Sequence, residues 1–67
     1  MIFRLKELRQ EKSLSRKALE EKSGVPERTI IALEQGINNP MQAKIGTIFA
    51  LCKALKCKVY DLYQEEK

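Results

Sequence analysis

The sequence predicts an all-α fold built from five short helices. Apolar residues recur at helical spacing along the whole chain, and only the short piece from Lys56 to Tyr60 alternates with a period of two. Glycine and proline interrupt the helical spacing at several points. A chain of 67 residues supports one domain, over residues 1–67, because it is too short to bury a second core.

The first predicted helix covers residues 2 to 12. Ile2, Leu5 and Leu8 form one apolar stripe, and charged side chains fill the other side of this segment. The helical spacing breaks after residue 12, so we expect a turn there.

The second predicted helix begins at Arg16 and stops at Gly24. Ser15 can accept a hydrogen bond from a backbone amide of the first turn, and Leu14 can pack on Leu19, which together make a cap and a hydrophobic staple. Gly24 tolerates the left-handed conformation that ends many helices.

Pro26 separates the second helix from the third. It pushes Val25 into an extended conformation, so the chain turns before a helix that begins at about Glu27. Gly36 ends that helix. We therefore expect a helix-turn-helix over residues 16 to 35.

Two further helices follow a loop at residues 37 to 40. An apolar stripe predicts a fourth helix over about residues 42 to 55. The stripe consists of Ile45, Ile48, Phe49, Cys52 and Leu55. Val59 and Leu62 indicate a fifth helix over about residues 58 to 64, and residues 64 to 67 are expected to fray.

The apolar stripes predict one small core. Its expected members are Ile2, Leu5, Leu8, Leu19, Val25, Ile30, Leu33, Ile45, Ile48, Phe49 and Leu55. Glu34 flanks the core side of the third helix, where we expect it to pair with Arg9 or another cation of the first helix.

The composition argues against an enzyme and against a metal site. The chain has no histidine, so the commonest general base and metal ligand is missing. Cys52 and Cys57 would need two carboxylates to complete a zinc site, and their spacing near a helix end does not suit a disulfide. We expect both to be small buried hydrophobes, and we expect no catalytic residue and no cofactor.

The charge balance permits a polyanionic partner. Thirteen Lys and Arg against nine Asp and Glu give a net charge of +4. Charges begin at Arg4 without the apolar run of a signal peptide, and no stretch of about 18 apolar residues is present. We therefore expect a cytoplasmic protein with no membrane partner and no small-molecule ligand.

The third helix has two faces. Ile30 and Leu33 fall on the core side. The opposite side carries Arg28, Ile31, Ala32 and Gln35. A face that met only water would be uniformly charged, and Ile31 would be a poor choice there. A short helix, a turn and a second short helix with such a face match the arrangement that places its second helix in the DNA major groove.

Base readout explains the residue types on this face. Arg28 can bond two guanine acceptors at once. Ile31 or Ala32 can lie against a thymine methyl group, and Glu27 can accept a hydrogen bond from a cytosine amine.

Several short segments together form a specific pattern. They are LKELRQEKSLS at Leu5 to Ser15, the spacing from Ala18-Leu19 to Gly24-Val25, Thr29-Ile30 followed by LEQG, Asn39-Pro40, and LCKAL with VYDLY near the end. In this pattern, residues 5 to about 63 resemble the Xre/Cro, lambda-repressor-like helix-turn-helix domains. The resemblance implies a compact five-helix DNA-binding domain that regulates transcription, usually as a dimer on an operator of two related half-sites. We therefore expect a sequence-specific repressor that binds double-stranded DNA as a homodimer.

The resemblance also implies roles for individual residues. Glu27, Arg28 and Ala32 occupy positions used for base readout, with Thr29, Ile31 and Gln35 alongside. Arg16 stands where the family often has a glutamine that touches the phosphate backbone, and a guanidinium suits a phosphate. Asn38, Asn39 and Lys44 fall in or just after the loop that commonly lies on the sugar-phosphate backbone.

Lys17 adds to the expected backbone contacts. Both Lys17 and Arg16 lie in a first helical turn, where a positive charge is mildly unfavourable, which favours an outside anion. Pro26 departs from the family, because it replaces the Ser or Thr that usually caps the recognition helix.

The aromatic residues near the end are candidates for a dimer interface. Two-fold dimers are the commonest oligomers and aromatics are enriched at interfaces, which favours Val59, Tyr60 and Tyr63. The alternative is that these side chains complete the small core.

Two other functions stay open. One is an antitoxin-type autoregulator, which would have a toxin protein as its partner. The other is a protein-interaction adaptor that binds a polypeptide at the Ile31 face of the third helix. The salt dependence of binding distinguishes DNA binding from the adaptor function. Binding that neutralises several phosphates weakens steeply as salt rises, whereas binding in an apolar groove does not.

Overall fold

Five helices make up most of the structure, a computed structural model that describes residues 2–65 and, at Met41, the backbone only. The helices are α1 (Leu5–Glu11), α2 (Arg16–Ser23), α3 (Glu27–Glu34), α4 (Ile45–Leu55) and α5 (Val59–Leu62). The other elements are the strands β1 (Ile2–Phe3) and β2 (Tyr63–Gln64) and a 3-10 turn at Pro40–Gln42. The predicted all-α class with five helices is confirmed. None of the helices within residues 2–65 is long and apolar enough to cross a membrane.

The two short strands lie where the sequence predicted helix ends. β1 and β2 pair in antiparallel register, with Ile2 opposite Gln64 and Phe3 opposite Tyr63. The first and last predicted helices are therefore too long, because the paired residues have extended rather than helical backbones. The pairing joins segments from opposite ends of the described chain, so a local sequence pattern does not predict it.

Contacts next to the strands extend this connection. The N–H of Arg4 donates to the carbonyl oxygen of Leu62 at 2.7 Å. The rings of Phe3 and Tyr63 pack with their centroids 5.2 Å apart. The predicted fraying of residue 64 is wrong, because it lies in β2, and residues 66–67 lie outside the described part of the chain.

Local signals set both ends of α2. The N–H of Ala18 donates to the hydroxyl oxygen of Ser15 at 3.0 Å, which confirms Ser15 as the N-cap. Gly24 ends the helix with φ of +78°, in the left-handed region. The N–H of Gly24 donates to the carbonyl oxygen of Glu20 at 2.7 Å. α2 therefore stops where the sequence predicts.

A side chain from α2 caps the start of α3. Pro26 precedes α3 and has no side-chain group that can accept a hydrogen bond. The N–H of Glu27 donates instead to Oε2 of Glu20, 3.1 Å away. The carboxylate of Glu20 thus takes the place of the missing Ser or Thr cap and fixes the start of α3 against α2.

The core lies between the helices. α2 packs against both α3 and α4, and α1 packs against α3. The buried apolar residues are Leu5, Leu8, Leu19, Val25, Ile30, Leu33, Ile48, Leu51, Cys52, Leu55 and Leu62. The predicted core is confirmed for all its members except three.

Ile2, Ile45 and Phe49 were predicted to be core, and this prediction is wrong. Their exposed fractions are 42% for Ile2, 70% for Ile45 and 54% for Phe49. The buried side of α4 consists of Ile48, Leu51, Cys52 and Leu55. Phe49 follows Ile48 directly, so it points about 100° away round the helix. α4 is apolar on more than one side, so its spacing does not reveal which side meets the core.

Candidate nucleic-acid interface

The two sides of α3 meet different surroundings. Ile30 and Leu33 are buried in the core. On the remaining surface, Arg28 and Gln35 are exposed, whereas Glu27, Thr29, Ile31 and Ala32 are half-buried. The outward face predicted from the sequence therefore carries an exposed guanidinium near the start of the helix. Recognition helices use their N-terminal residues to contact base edges, which makes this placement chemically suitable.

The first turn of α3 is held in place from both sides. Val25, just before it, is buried in the core. The bond from the Glu27 N–H to the Glu20 carboxylate ties the same turn to α2. Arg28 therefore projects from a backbone that two independent contacts fix, which reduces the conformational freedom lost when it binds.

Glu34, the last residue of α3, binds two arginines. Nε of Arg9 donates to Oε2 at 2.7 Å, and Nη2 of Arg9 lies 3.3 Å from Oε1. Nε of Arg16 donates to Oε1 at 3.0 Å. The predicted pair between Glu34 and Arg9 is confirmed. The additional bond from Arg16 to the same carboxylate was not predicted from the sequence.

The charge state of Glu34 follows from these contacts. Its side chain is 0% exposed, and burial alone would raise the pKa of the carboxyl. The hydrogen bonds from Arg9 and Arg16, together with their charges, outweigh burial and hold the pKa of Glu34 below its usual value. One carboxylate between two guanidinium groups leaves the cluster positively charged at neutral pH.

Arg16 and Lys17 begin α2 at the edge of this cluster. The side chain of Arg16 is 30% exposed, and Lys17 is exposed. The first turn of α2 contains no acidic residue to offset them. These two cations therefore add positive potential beside α3, which suits a polyanionic partner.

A surface hollow brings the predicted loop residues together with α3. Its lining includes Thr29 of α3, Asn38 and Asn39 of the loop, and Lys44 before α4. Four residues that the sequence assigned to supporting contacts thus share one surface. Amide, hydroxyl and ammonium groups are the usual donors to phosphate oxygens. The hollow therefore has the chemistry of a surface that binds a sugar-phosphate backbone.

The hollow also contains residues that the sequence did not single out. Gln42 and Thr47 line it, and Ile37 lies at its edge with 72% of its surface exposed. Thr47 is the one polar side chain among residues 45 to 50. A polar residue in an otherwise apolar segment indicates a surface position. Helical spacing takes account of the apolar residues only, so it did not identify Thr47.

The three residues predicted for a dimer interface differ in how far they are exposed. Tyr60 is 85% exposed, whereas Val59 and Tyr63 are half-buried. The hydroxyl of Tyr63 donates to the carbonyl oxygen of Pro40 at 2.9 Å. Tyr63 therefore helps to hold β2 against the 3-10 turn, and Tyr60 is the one of the three that points mainly outward.

An apolar groove runs beside Tyr60. Ile45, Ile48, Val59, Tyr60 and Tyr63 line it, with Arg4, Asp61 and Glu65 among its polar residues. Phe49 lies one turn after Ile45 on α4 and is half exposed. We call Ile45, Phe49 and Tyr60 the α4–α5 patch.

The prediction that both cysteines are buried is confirmed for Cys52 alone. Both are free, with Cys52 buried and Cys57 half-buried. Burial, with a smaller effect from the neighbouring Cys57, raises the pKa of the Cys52 thiol to about 12. The thiol is therefore protonated and unreactive at neutral pH. Residues 2–65 contain no cluster of three or more His, Cys, Asp or Glu side chains that could hold a metal ion.

Comparison with protein families gives a match over most of the chain. The profile of the family described as Helix-turn-helix matches residues 5–62, which is most of the chain. A comparison with curated proteins finds no match.

Proposed function

Because the chain belongs to the Xre/lambda-repressor-like helix-turn-helix family, we propose that it is a sequence-specific repressor that binds a two-fold-related operator as a homodimer. The family supports DNA binding and transcription regulation in general, and its domain is regulatory rather than enzymatic. In this proposal residues 1–67 act as one domain in the cytoplasm. Repression follows from occupancy, since a protein bound in the major groove excludes other proteins from the same duplex.

The exposed guanidinium of Arg28 is the observation that carries the proposal. It projects from the N-terminal turn of a helix whose other side is anchored by Ile30 and Leu33. In the major groove, Arg28 donates to two guanine acceptors, and Ile31 and Ala32 lie against thymine methyl groups. Glu27 accepts from a cytosine amine.

Residues around α3 supply the supporting contacts. Arg16 and Lys17 approach the phosphate backbone from the start of α2, and Asn38, Asn39 and Lys44 approach it from the hollow beside α3. Thr29 and Gln35 flank the base-reading residues. Such phosphate contacts fix the register of the helix on the duplex without reading its sequence.

The α4–α5 patch supports the homodimer. Exposed large apolar side chains grouped on one surface are typical of protein interfaces. In the proposed dimer, Tyr60 packs across the two-fold axis, and Val59 and Tyr63 complete the contact from the groove. The two copies of α3 then enter successive major grooves, with half-site centres about 34 to 36 Å apart.

The test selects bound sequences from random duplex DNA and measures affinity for the recovered site across a range of salt concentrations. The same measurements on Arg28→Ala show which base depends on the guanidinium. Lys53→Ala serves as a charge-matched control, because Lys53 is an exposed cation of α4 outside α2, α3 and the hollow.

We expect the selection to recover a motif with two-fold symmetry. Arg28→Ala lowers guanine preference at one position of each half-site by about 1 to 3 kcal/mol, and Lys53→Ala leaves that preference unchanged. Recovery of no motif, with weak binding that ignores Arg28, would contradict groove reading. In that case the Ile31 face would be a surface for a polypeptide partner.

A further inference from the structure

Glu34 and Arg16 join the end of α3 to the start of α2. We infer that Glu34 is a positioning residue for DNA binding, which holds one edge of the Arg16 guanidinium so that the other edge meets a backbone phosphate. The inference rests on the DNA-binding step of the proposed function and requires no particular operator sequence.

The two arginines that share Glu34 use their donors differently. Arg9 engages all three guanidinium nitrogens inside the protein, with Nε and Nη2 on Glu34 and Nη1 on the carbonyl oxygen of Leu14. Its side chain is only 10% exposed. Arg9 therefore has a structural role, because it has little capacity left for an outside ligand.

Arg16 keeps most of its donor capacity. Within residues 2–65, its hydrogen bond to Glu34 uses Nε, 3.0 Å from Oε1. A guanidinium carries five N–H donors, and four of them belong to the two terminal amino groups. With 30% of its side chain exposed, Arg16 can present these groups to solvent while Nε stays bound.

A backbone phosphate is the ligand that fits this arrangement. Its oxygens accept two parallel N–H bonds from one edge of a guanidinium. The cluster of Glu34, Arg9 and Arg16 has one positive charge in excess, which an outside anion balances. Because Glu34 already restricts the Arg16 side chain, phosphate binding costs less conformational entropy than it would for a free arginine.

The geometry also distinguishes arginine from lysine at this position. A lysine ammonium carries its three donors on one nitrogen, so it lacks the two separate planar edges with which a guanidinium holds Glu34 and a phosphate in fixed directions. A glutamine at the same position lacks the charge. The arginine found here therefore allows a combination of charge and orientation that neither alternative reproduces.

The test measures the affinity of the purified chain for its selected duplex and for a random-sequence duplex across a salt series. The variants are Arg16→Ala, Arg16→Lys, Glu34→Gln and the double variant Glu34→Gln/Arg16→Ala, with Lys53→Ala as the charge-matched control. Denaturant unfolding of every variant identifies those that fold, and only these enter the comparison.

Arg16→Ala should weaken binding to both duplexes by about tenfold. The slope of log affinity against log salt falls by about 0.9, as expected for one lost phosphate contact. Arg16→Lys stays close to the value for Arg16→Ala. Glu34→Gln weakens binding when Arg16 is present and has no further effect in the double variant.

Two results would overturn the inference. If Arg16→Lys binds like the wild type, charge alone matters and Glu34 does not position the guanidinium. If Glu34→Gln weakens binding equally with and without Arg16, its role is only structural. Should Glu34→Gln fail to fold, the comparison of Arg16→Lys with Arg16→Ala still decides.

The same experiment separates this inference from the proposed function. Selection of no motif, together with the expected Arg16 effects on the random duplex, would end the sequence-specific proposal and leave the positioning role intact. Recovery of a motif, with an affinity that does not change in Arg16→Ala, would support the sequence-specific proposal and overturn the positioning role. A wild type that binds neither duplex would contradict both.

Discussion

Helices α3 and α4 both bury an apolar side, but they differ in what they leave outside. α3 presents Arg28, with Gln35 directly after its last residue, and the half-buried apolar side chains of Ile31 and Ala32. α4 presents Ile45 and Phe49, whose exposed fractions are 70% and 54%. Burial of one side explains why each helix folds onto the core, whereas the other side sets the chemistry that each helix presents at the surface.

Helical spacing predicts that a helix has a buried side, whereas the residue types on the outer face indicate which partner chemistry suits it. A guanidinium among small apolar groups suits the mixed acceptors and methyl groups of a DNA groove. Isoleucine, phenylalanine and tyrosine side chains exposed on neighbouring helices suit another protein surface. We therefore expect substitutions on the two helices to affect different properties of the molecule.

The largest expected difference is between the buried side of α3 and the exposed side of α4. Ile30→Ala removes a fully buried side chain and lowers the free energy of unfolding by about 2 to 5 kcal/mol. The whole free energy of unfolding of a chain of this size is about 3 to 10 kcal/mol, so a large fraction of the Ile30→Ala variant is unfolded. Phe49→Ala lowers it by less than about 1 kcal/mol. Urea unfolding followed by circular dichroism at low protein concentration measures both, and equal losses would place Phe49 in the core.

The next effect concerns the buried ion pairs at the end of α3. Glu34→Gln leaves Arg9 without its charged partner and lowers the free energy of unfolding by about 3 kcal/mol at neutral pH. Glu7→Gln breaks the pair with Arg4, which also joins Nε to a carboxylate oxygen at 3.0 Å. The Glu7 side chain is 62% exposed, so its loss costs less than about 1 kcal/mol.

The pH dependence of stability identifies which carboxylate is responsible. Because folding lowers the pKa of Glu34, its contribution is fully present above the unfolded pKa near 4.5 and is lost as pH falls through the lower folded value. Unfolding measured from neutral to strongly acidic pH thus shows a loss of stability in the wild type that is smaller in Glu34→Gln. An unchanged acid profile in that variant would contradict the assignment.

A smaller effect separates the outer faces directly. Tyr60→Asp places a charge on the α4–α5 patch and raises the dimer dissociation constant at least tenfold, or about 1.4 kcal/mol. Arg28→Ala leaves that constant unchanged, because Arg28 lies on α3, outside the α4–α5 patch. Sedimentation equilibrium measures both variants. If the wild type is a monomer at all concentrations, the patch is not an interface between copies of this chain.

The smallest effects come from two glycines, one in each region. Gly24, between α2 and α3, has φ of +78°, so Gly24→Ala costs about 1 kcal/mol because an L side chain is strained there. Gly46 lies in α4, and a Cβ there would meet nothing within 4 Å. Gly46→Ala therefore stabilises the protein by about 0.5 to 1 kcal/mol. Thermal unfolding of the two variants should shift in opposite directions.

Local signals in the sequence predicted much of the helix-turn-helix. Ser15 and Gly24 act on their own neighbours through capping and backbone conformation, so the sequence contains the information needed to place α2. The pairing of Glu34 with Arg9 was also predictable from opposite charges beside the core. By contrast, β1 and β2 lie at opposite ends of the described chain, and their pairing depends on the packing of everything between them.

The parts that were not predicted share a physical cause. Which side of α4 meets the core depends on its angle to α2, and an apolar pattern on several sides is compatible with more than one angle. The shared use of Glu34 by Arg16 likewise depends on how α2 crosses α3. The assignment of Arg28, Arg16 and the hollow to DNA is a matter of partner chemistry, which the fold permits and the experiments above test.

The bond between the Arg4 N–H and the Leu62 carbonyl closes almost the entire described chain into one loop. Loop-closure entropy opposes such a distant contact until the intervening segments have shortened the path between its ends. We therefore expect the strand pair to form after the helices have assembled. Exchange of the Arg4 amide should accordingly become fast in any variant that separates the two ends of the described chain, although Arg4 itself belongs to none of the helices.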